Sequence, residues 1–165
     1  MKFLLYLTLP LYILDQVTKA WVTDRFTVET GISGEHISVI PGFFDLVRVH
    51  NTGMAFGLGN GTGFANFLFL GIAAIAIGFI AYLWRKEMLE GVLAHIAAAL
   101  LISGILGNVT DRLARGYVVD FLHFDLGFMV WPSFNVADSC ICVAAGLLIF
   151  GSFKPAPKEK GSTHA

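Results

Sequence analysis

Phe64–Leu83 reads FANFLFLGIAAIAIGFIAYL, an almost purely apolar run without a charged side chain. An α-helix rises about 1.5 Å per residue, so roughly 20 apolar residues are needed to cross hydrocarbon about 30 Å thick. This stretch meets that length. Three further apolar stretches approach or meet it: about Phe3 to Val22, about Val92 to Asn108, and Phe134 to Phe153. Over the whole chain of 165 residues, 56% belong to the hydrophobic set, only 14% are charged, and the mean hydropathy is +0.72. Soluble domains hold about 45–50% apolar and about 25% charged residues. The reading is therefore an all-α polytopic membrane protein of four transmembrane helices, with a small β-rich loop outside. Residues 1–153 form a single membrane domain, and residues 154–165 (KPAPKEKGSTHA) a disordered tail.

The first stretch also has the look of a secretory signal, because Lys2 precedes an apolar run. Asp15, Gln16 and Lys19 stand where small residues would be needed for cleavage, and apolar character resumes at Ala20–Val22, so the helix is expected to be retained. Lys2, Arg85, Lys86, Lys154, Lys158 and Lys160 gather in the N-terminus, the short second loop and the tail. By the positive-inside rule both termini are cytoplasmic, and the first and third loops lie outside. In the long first loop, His36–Ile40 and Phe43–His50 flank Pro41-Gly42, a hairpin signal. A Gly-rich stretch from Gly53 to Gly63 follows, suited to lying over a site at the membrane surface.

A net charge of −1 gives no basic face for nucleic acid. No HExxH or Cys/His cluster suggests a metal site, and no cofactor is implied. Cys140 and Cys142, two apart on one helix, read as packing residues.

Ionisable groups inside a membrane are costly, and they are functional candidates by default. Asp15 and Lys19 share a helix face at i, i+4 and are placed to pair. Asn108, Asp111 and Arg112 repeat that spacing at the end of the third span. Asn135 is a candidate helix cap, with Asp138 in the first turn behind it. Tyr117–Leu126 alternates like a strand and places Asp120 on an apolar face with Val118, Leu122 and Phe124. His123 and Asp125 fall on the opposite face and read as solvated. With Asn51 in the first loop, these groups converge on one layer of the membrane; Asp15 lies roughly 10 Å inside its helix end. Two carboxylates held together share a proton, so one can activate water while the other protonates or hydrogen-bonds a carbonyl. Peptide hydrolysis by two aspartates fits that pattern. A proton-coupled carrier would use buried carboxylates as well, and a purely structural subunit would leave their cost unexplained.

Five boxes in order carry a family resemblance: Asp15-Gln16-Val17-Thr18-Lys19, Asn51-Thr52-Gly53-Met54-Ala55-Phe56-Gly57, Gly104 through Arg112, Gly116 through Phe121, and Phe134 through Asp138. The chain resembles the bacterial lipoprotein signal peptidases, the signal peptidase II family, along nearly its whole length. The resemblance implies an aspartic endopeptidase of the bacterial inner membrane with Asp120 and Asp138 as catalytic pair. Asp15, Lys19, Asn51, Gly53, Ala55, Phe56, Asn108, Asp111, Arg112 and Asn135 would surround the dyad and the substrate. The implied substrate is a prolipoprotein, cut on the N-terminal side of a cysteine bearing diacylglycerol. The implied inhibitor is the cyclic peptide globomycin, and no metal or cofactor is needed. A monomer suffices for a dyad within one chain.

Overall fold

The structure, a computed structural model, describes residues 4–27, 34–53 and 64–152. It contains four helices, α1 (Leu9–Arg25), α2 (Phe64–Arg85), α3 (Gly91–Arg115) and α4 (Val136–Ser152), and four strands, β1 (Ile37–Ile40), β2 (Phe44–Asn51), β3 (Val118–Asp125) and β4 (Val130–Phe134). A π-helical turn, Leu4–Thr8, leads into α1 just ahead of Pro10. Proline cannot donate the backbone bond that a continuous α-helix would require there, and the wider turn accommodates it.

Among the described residues, α2 and α3 are long and apolar enough to cross a membrane, and α4 is a shorter apolar helix. α2 turns large apolar side chains outward, with Phe67 76% and Ile75 74% exposed. That is the surface of a helix solvated by lipid. α3 is the hub. Its buried face is built from small residues, Ala97, Ala98, Ala99, Ser103, Gly104 and Gly107. A Cβ at Gly104 would strike the carbonyl of Ala137 and the Ile141 side chain, and one at Gly107 would lie 2.5 Å from the Asp15 carboxylate. Glycine at these two positions lets α1 and α4 approach α3 closely, as small residues do between membrane helices.

The strands form one antiparallel sheet in the order β1-β2-β3-β4. β1 and β2 are the expected hairpin, with Gly42 turning at a φ of 73°. β3 matches the expected strand around Asp120. β4 is a correction, because it belongs to a segment read as loop. Pro132 argues against a central strand, and here it sits on an edge, where its missing N–H leaves no ladder bond unmade. An all-α description is thus too narrow: the two long connections pair with one another in a sheet. α3 runs on to Arg115 instead of ending near Asn108, and α4 begins at Val136 instead of Phe134.

The sheet is stacked on the end of α1, where Val22 and Phe26 are buried against Val119 and Phe121. Arg48 of β2 completes the junction by donating to the carbonyls of Thr23 (3.1 Å) and Phe26 (2.6 Å). A cation meeting the free carbonyls at a helix C-terminus satisfies both hydrogen bonding and the helix dipole. Asn66 of α2 similarly donates to the carbonyl of Gly116, the left-handed residue that ends α3.

Candidate active site

At the junction of α1, α3, α4 and the sheet, polar side chains fill the space that apolar packing fills elsewhere. Lys19 is fully buried. Its ammonium donates to Asp15 (2.9 Å), Asp111 (3.0 Å) and the amide oxygen of Asn108 (3.0 Å). An ammonium has three N–H bonds, and here each has an acceptor. Asp15 also accepts from the backbone N–H of Ala137 at 2.9 Å, so a carboxylate of α1 caps the first turn of α4. Asp111 is matched by Arg115 as well, and takes the backbone N–H of Val119 at 3.2 Å. This cluster ties three helices to the root of β3. Each charge in it is compensated, the condition under which buried ions are tolerated.

Asp120 and Asp138 lie beside that cluster with different company. Asp120 of β3 is 2% exposed. It accepts from Asn135 Nδ2 (2.7 Å) on one oxygen and from Asn51 Nδ2 (2.9 Å) on the other. Asp138 accepts from Asn108 Nδ2 at 2.7 Å, while its second oxygen faces the backbone N–H of Asn135 at 3.3 Å. Asn135 caps α4 in return, its Oδ1 accepting the backbone N–H of Asp138 at 2.9 Å. Asn135 therefore touches both carboxylates. Among the described residues no cation contacts either of them; the donors are amides. Burial pushes the Asp120 carboxyl up to about 6, helped by the charge of Asp138 and opposed by the hydrogen bonds from Asn51 and Asn135 and by the charge of Lys19.

The Lys19 contact also fixes how Asn108 is oriented. With its oxygen taken by the ammonium, the amide must present its NH₂ to Asp138. Asn51 is oriented in the same way. Its oxygen accepts the backbone N–H of Gly53 at 2.8 Å, which leaves the NH₂ for Asp120. Gly53 has a φ of 89°, and a Cβ there would lie 2.5 Å from the Phe69 ring, so both backbone and space call for glycine.

Two cavities meet at Asn51 and Gly53. One, about 530 Å³, runs between α2, α3 and α4; Phe69, Ile72, Leu101, Ile105 and Ile141 line it, and Asp138 and Arg112 stand at its polar end. The other, about 360 Å³, lies over the sheet and is lined by His50, Thr52, Asp120, Pro132 and Ser133. The guanidinium of Arg112 lies over the Phe69 ring at 4.4 Å, and among the described residues its buried Nε has no hydrogen-bond partner.

The fold thus gathers Asp15, Lys19, Asn51, Gly53, Asn108, Asp111, Arg112, Asp120, Asn135 and Asp138 in one region. Ala55 and Phe56 lie outside the described residues. Sequence reasoning missed Arg115, although its i, i+4 spacing from Asp111 is the same signal that paired Asp15 with Lys19. His123 is a correction. It is 3% exposed, with Nδ1 3.1 Å from the hydroxyl of Ser133 on the unforeseen strand β4.

Residues 7–154 match the family model described as signal peptidase (SPase) II. The chain belongs to the signal peptidase II family. Among its relatives, the lipoprotein signal peptidase of Psychromonas ingrahamii is 40% identical over 164 residues, covering 96% of this chain and 91% of the relative. That of Symbiobacterium thermophilum is 44% identical over 137 residues, covering 82% and 84%. Two solved structures described as bacterial membrane enzymes share the fold. One has a TM-score of 0.81 at 27% identity, covering 100% of this chain and 95% of that one; the other has 0.82 at 28%, covering 94% and 96%. As a signal peptidase II, the chain is an integral membrane protease that removes signal peptides from prolipoproteins.

Proposed function

We propose that Asp120 and Asp138 are the catalytic dyad of an aspartic endopeptidase that cuts prolipoproteins on the N-terminal side of a diacylglyceryl-modified cysteine. The observation that carries this reading is a pair of carboxylates, Asp120 buried and Asp138 partly exposed, bridged by Asn135, contacted by amides and facing two joined cavities. One carboxyl holds a proton and the other is ionised. The ionised member removes a proton from water as its oxygen attacks the scissile carbonyl. The protonated member donates to that carbonyl oxygen, and a proton then passes to the departing amide nitrogen. Asn108, Asn135 and Asn51 keep both carboxylates in place, and the Lys19 cluster holds Asn108 and the first turn of α4. Asp15 and Asp111 act through that cluster. Arg112, Gly53, Ala55 and Phe56 contact the substrate.

The apolar cavity suits the apolar part of a lipidated substrate, and the recess over the sheet suits the extended chain beyond the cut. In this reading all four helices span the bacterial inner membrane, with both termini cytoplasmic and the site at the outer face. There the acyl chains of a lipid-modified cysteine stay in the bilayer while its peptide bond reaches the aspartates. Residues 1–153 act as one domain ahead of a cytoplasmic tail, and a monomer is sufficient. Globomycin competes for the same site. The test is to incubate purified protein with a diacylglyceryl-modified prolipoprotein and with its unlipidated form, each with and without globomycin. Globomycin-sensitive cutting of the lipidated form alone is expected; equal cutting of both forms would refute the assigned specificity.

A further inference from the structure

The two hairpin turns of the sheet carry a concentration of large apolar side chains that nothing in the peptidase reading uses. In the β3–β4 turn Phe128 is 82% exposed, and Leu126, Met129, Val130 and Trp131 are all exposed. Phe43 in the β1–β2 turn is exposed too. Backbone pairing makes these one patch. The N–H of Asp125 bonds the carbonyl of Phe43 at 2.9 Å, and the N–H of Leu126 bonds that of Met129 at 2.9 Å. Phe43 also meets Phe124 edge to face at 5.5 Å, while Phe124 is in register with Trp131. An exposed apolar patch of this kind marks an interaction site.

What covers it follows from where the sheet is fixed. Its root rests on the last turns of α1 through Val22 and Phe26, and Arg48 clamps it there. On α1 itself, Val17 and Trp21 face outward and are 59% and 48% exposed, part of the surface a membrane-embedded helix gives to lipid. β3 crosses this helix end, and the hairpin turns lie farther along the strands. β1 and β4 pack chiefly against their neighbouring strands. The sheet that carries the patch thus sits at a helix terminus of the membrane-embedded chain, the level where Trp and other aromatic side chains favour the boundary between headgroups and hydrocarbon. The geometry points to the paired turns, led by Phe128 and Trp131, as a wedge that enters the lipid headgroup region beside α1. The wedge is a second attachment to the bilayer that holds the sheet over the site. It requires only that the chain be membrane-embedded, and stands whichever residues perform the cleavage.

The experiment uses the full chain carrying Trp21→Phe and Trp84→Phe, which leaves Trp131 as the sole tryptophan. The protein is reconstituted in phosphatidylcholine nanodiscs whose lipids are brominated either high on the acyl chain or near its end. Trp131 fluorescence is expected to be quenched by the high bromines, more weakly by the deep ones, and little by aqueous iodide. Phe128→Asp is expected to shift Trp131 emission to the red and to exchange lipid quenching for iodide quenching, with melting unchanged. Iodide quenching without lipid quenching in the starting protein would overturn the wedge by placing the patch in water. Quenching by neither agent would overturn it in favour of a second copy or another protein on the patch.

Discussion

Four aspartates lie within one junction of this fold, and they divide into two pairs by the company they keep. Asp15 and Asp111 are each in contact with the ammonium of Lys19, and Asp111 with Arg115 as well. Asp120 and Asp138 receive amide N–H groups from Asn51, Asn108 and Asn135. Asp15, Asp111 and Asp120 are buried and Asp138 is partly exposed at the cavity, so the clearest difference between the pairs is the kind of donor each meets. A buried carboxylate matched by a cation is spent on structure. A carboxylate held by neutral donors beside another carboxylate keeps the proton exchange that general acid–base chemistry requires. On the proposed assignment the first pair builds the frame and the second carries the reaction.

Removing the charge that centres the frame should have the largest effect. Lys19→Met leaves Asp15 and Asp111 buried with the ammonium gone, and breaking a buried ion pair on one side costs about 3–5 kcal/mol. Thermal unfolding in detergent should show a large drop in melting temperature; an unchanged value would dissolve the distinction between the pairs. Next comes chemistry. Asp120→Asn and Asp138→Asn should each slow cleavage of lipidated prolipoprotein by roughly 10³-fold, the scale of general acid–base catalysis. The single-turnover rate of folded protein checks this.

Packing gives a smaller effect. Gly107→Ala places a methyl 2.5 Å from Asp15 Oδ2 and 3.0 Å from Ala137 Cβ, an overpacking cost of about 1–3 kcal/mol readable in the same melts. The smallest effect is a pH dependence. The Asp120 carboxyl rises from 3.8 to about 6 on folding, so the native state binds this proton more tightly than the unfolded chain does. Its contribution to stability is fully present below about pH 4 and is lost as pH rises through about 6. Against Asp120→Asn, the wild type should therefore weaken across that interval by on the order of 1 kcal/mol, solvent at the cavity mouth reducing the full shift. A difference that stays flat between pH 4 and 7 would show that the carboxyl is not desolvated.

Much of this arrangement could be read from sequence because the signals are local. Asp15 and Lys19 pair at helical spacing, Asn135 caps the helix that Asp138 opens, and alternation puts Asp120 on an apolar strand face. The unread parts depend on distant chain. Nothing near Lys19 announces that its other two acceptors come from α3, and nothing near Arg48 announces that it will close the end of α1. Strict alternation puts His123 opposite Asp120 and so reads it as solvated, whereas a neighbouring strand brings Ser133 against its ring. Pro132 hid β4, since proline marks an edge strand and a loop equally well. The apolar signal of α3 stops near Asn108 because its last turns become polar as they enter the junction, although they remain helical to Arg115.

The most direct test measures cleavage rate and melting temperature on the same purified preparations of Asp111→Asn and Asp138→Asn. The two effects should separate: Asp138→Asn loses cleavage of lipidated prolipoprotein and melts like the wild type, whereas Asp111→Asn melts at a distinctly lower temperature. Near-native turnover in Asp138→Asn, or equal losses of stability in both variants, would contradict the division of the four aspartates into a frame and a dyad.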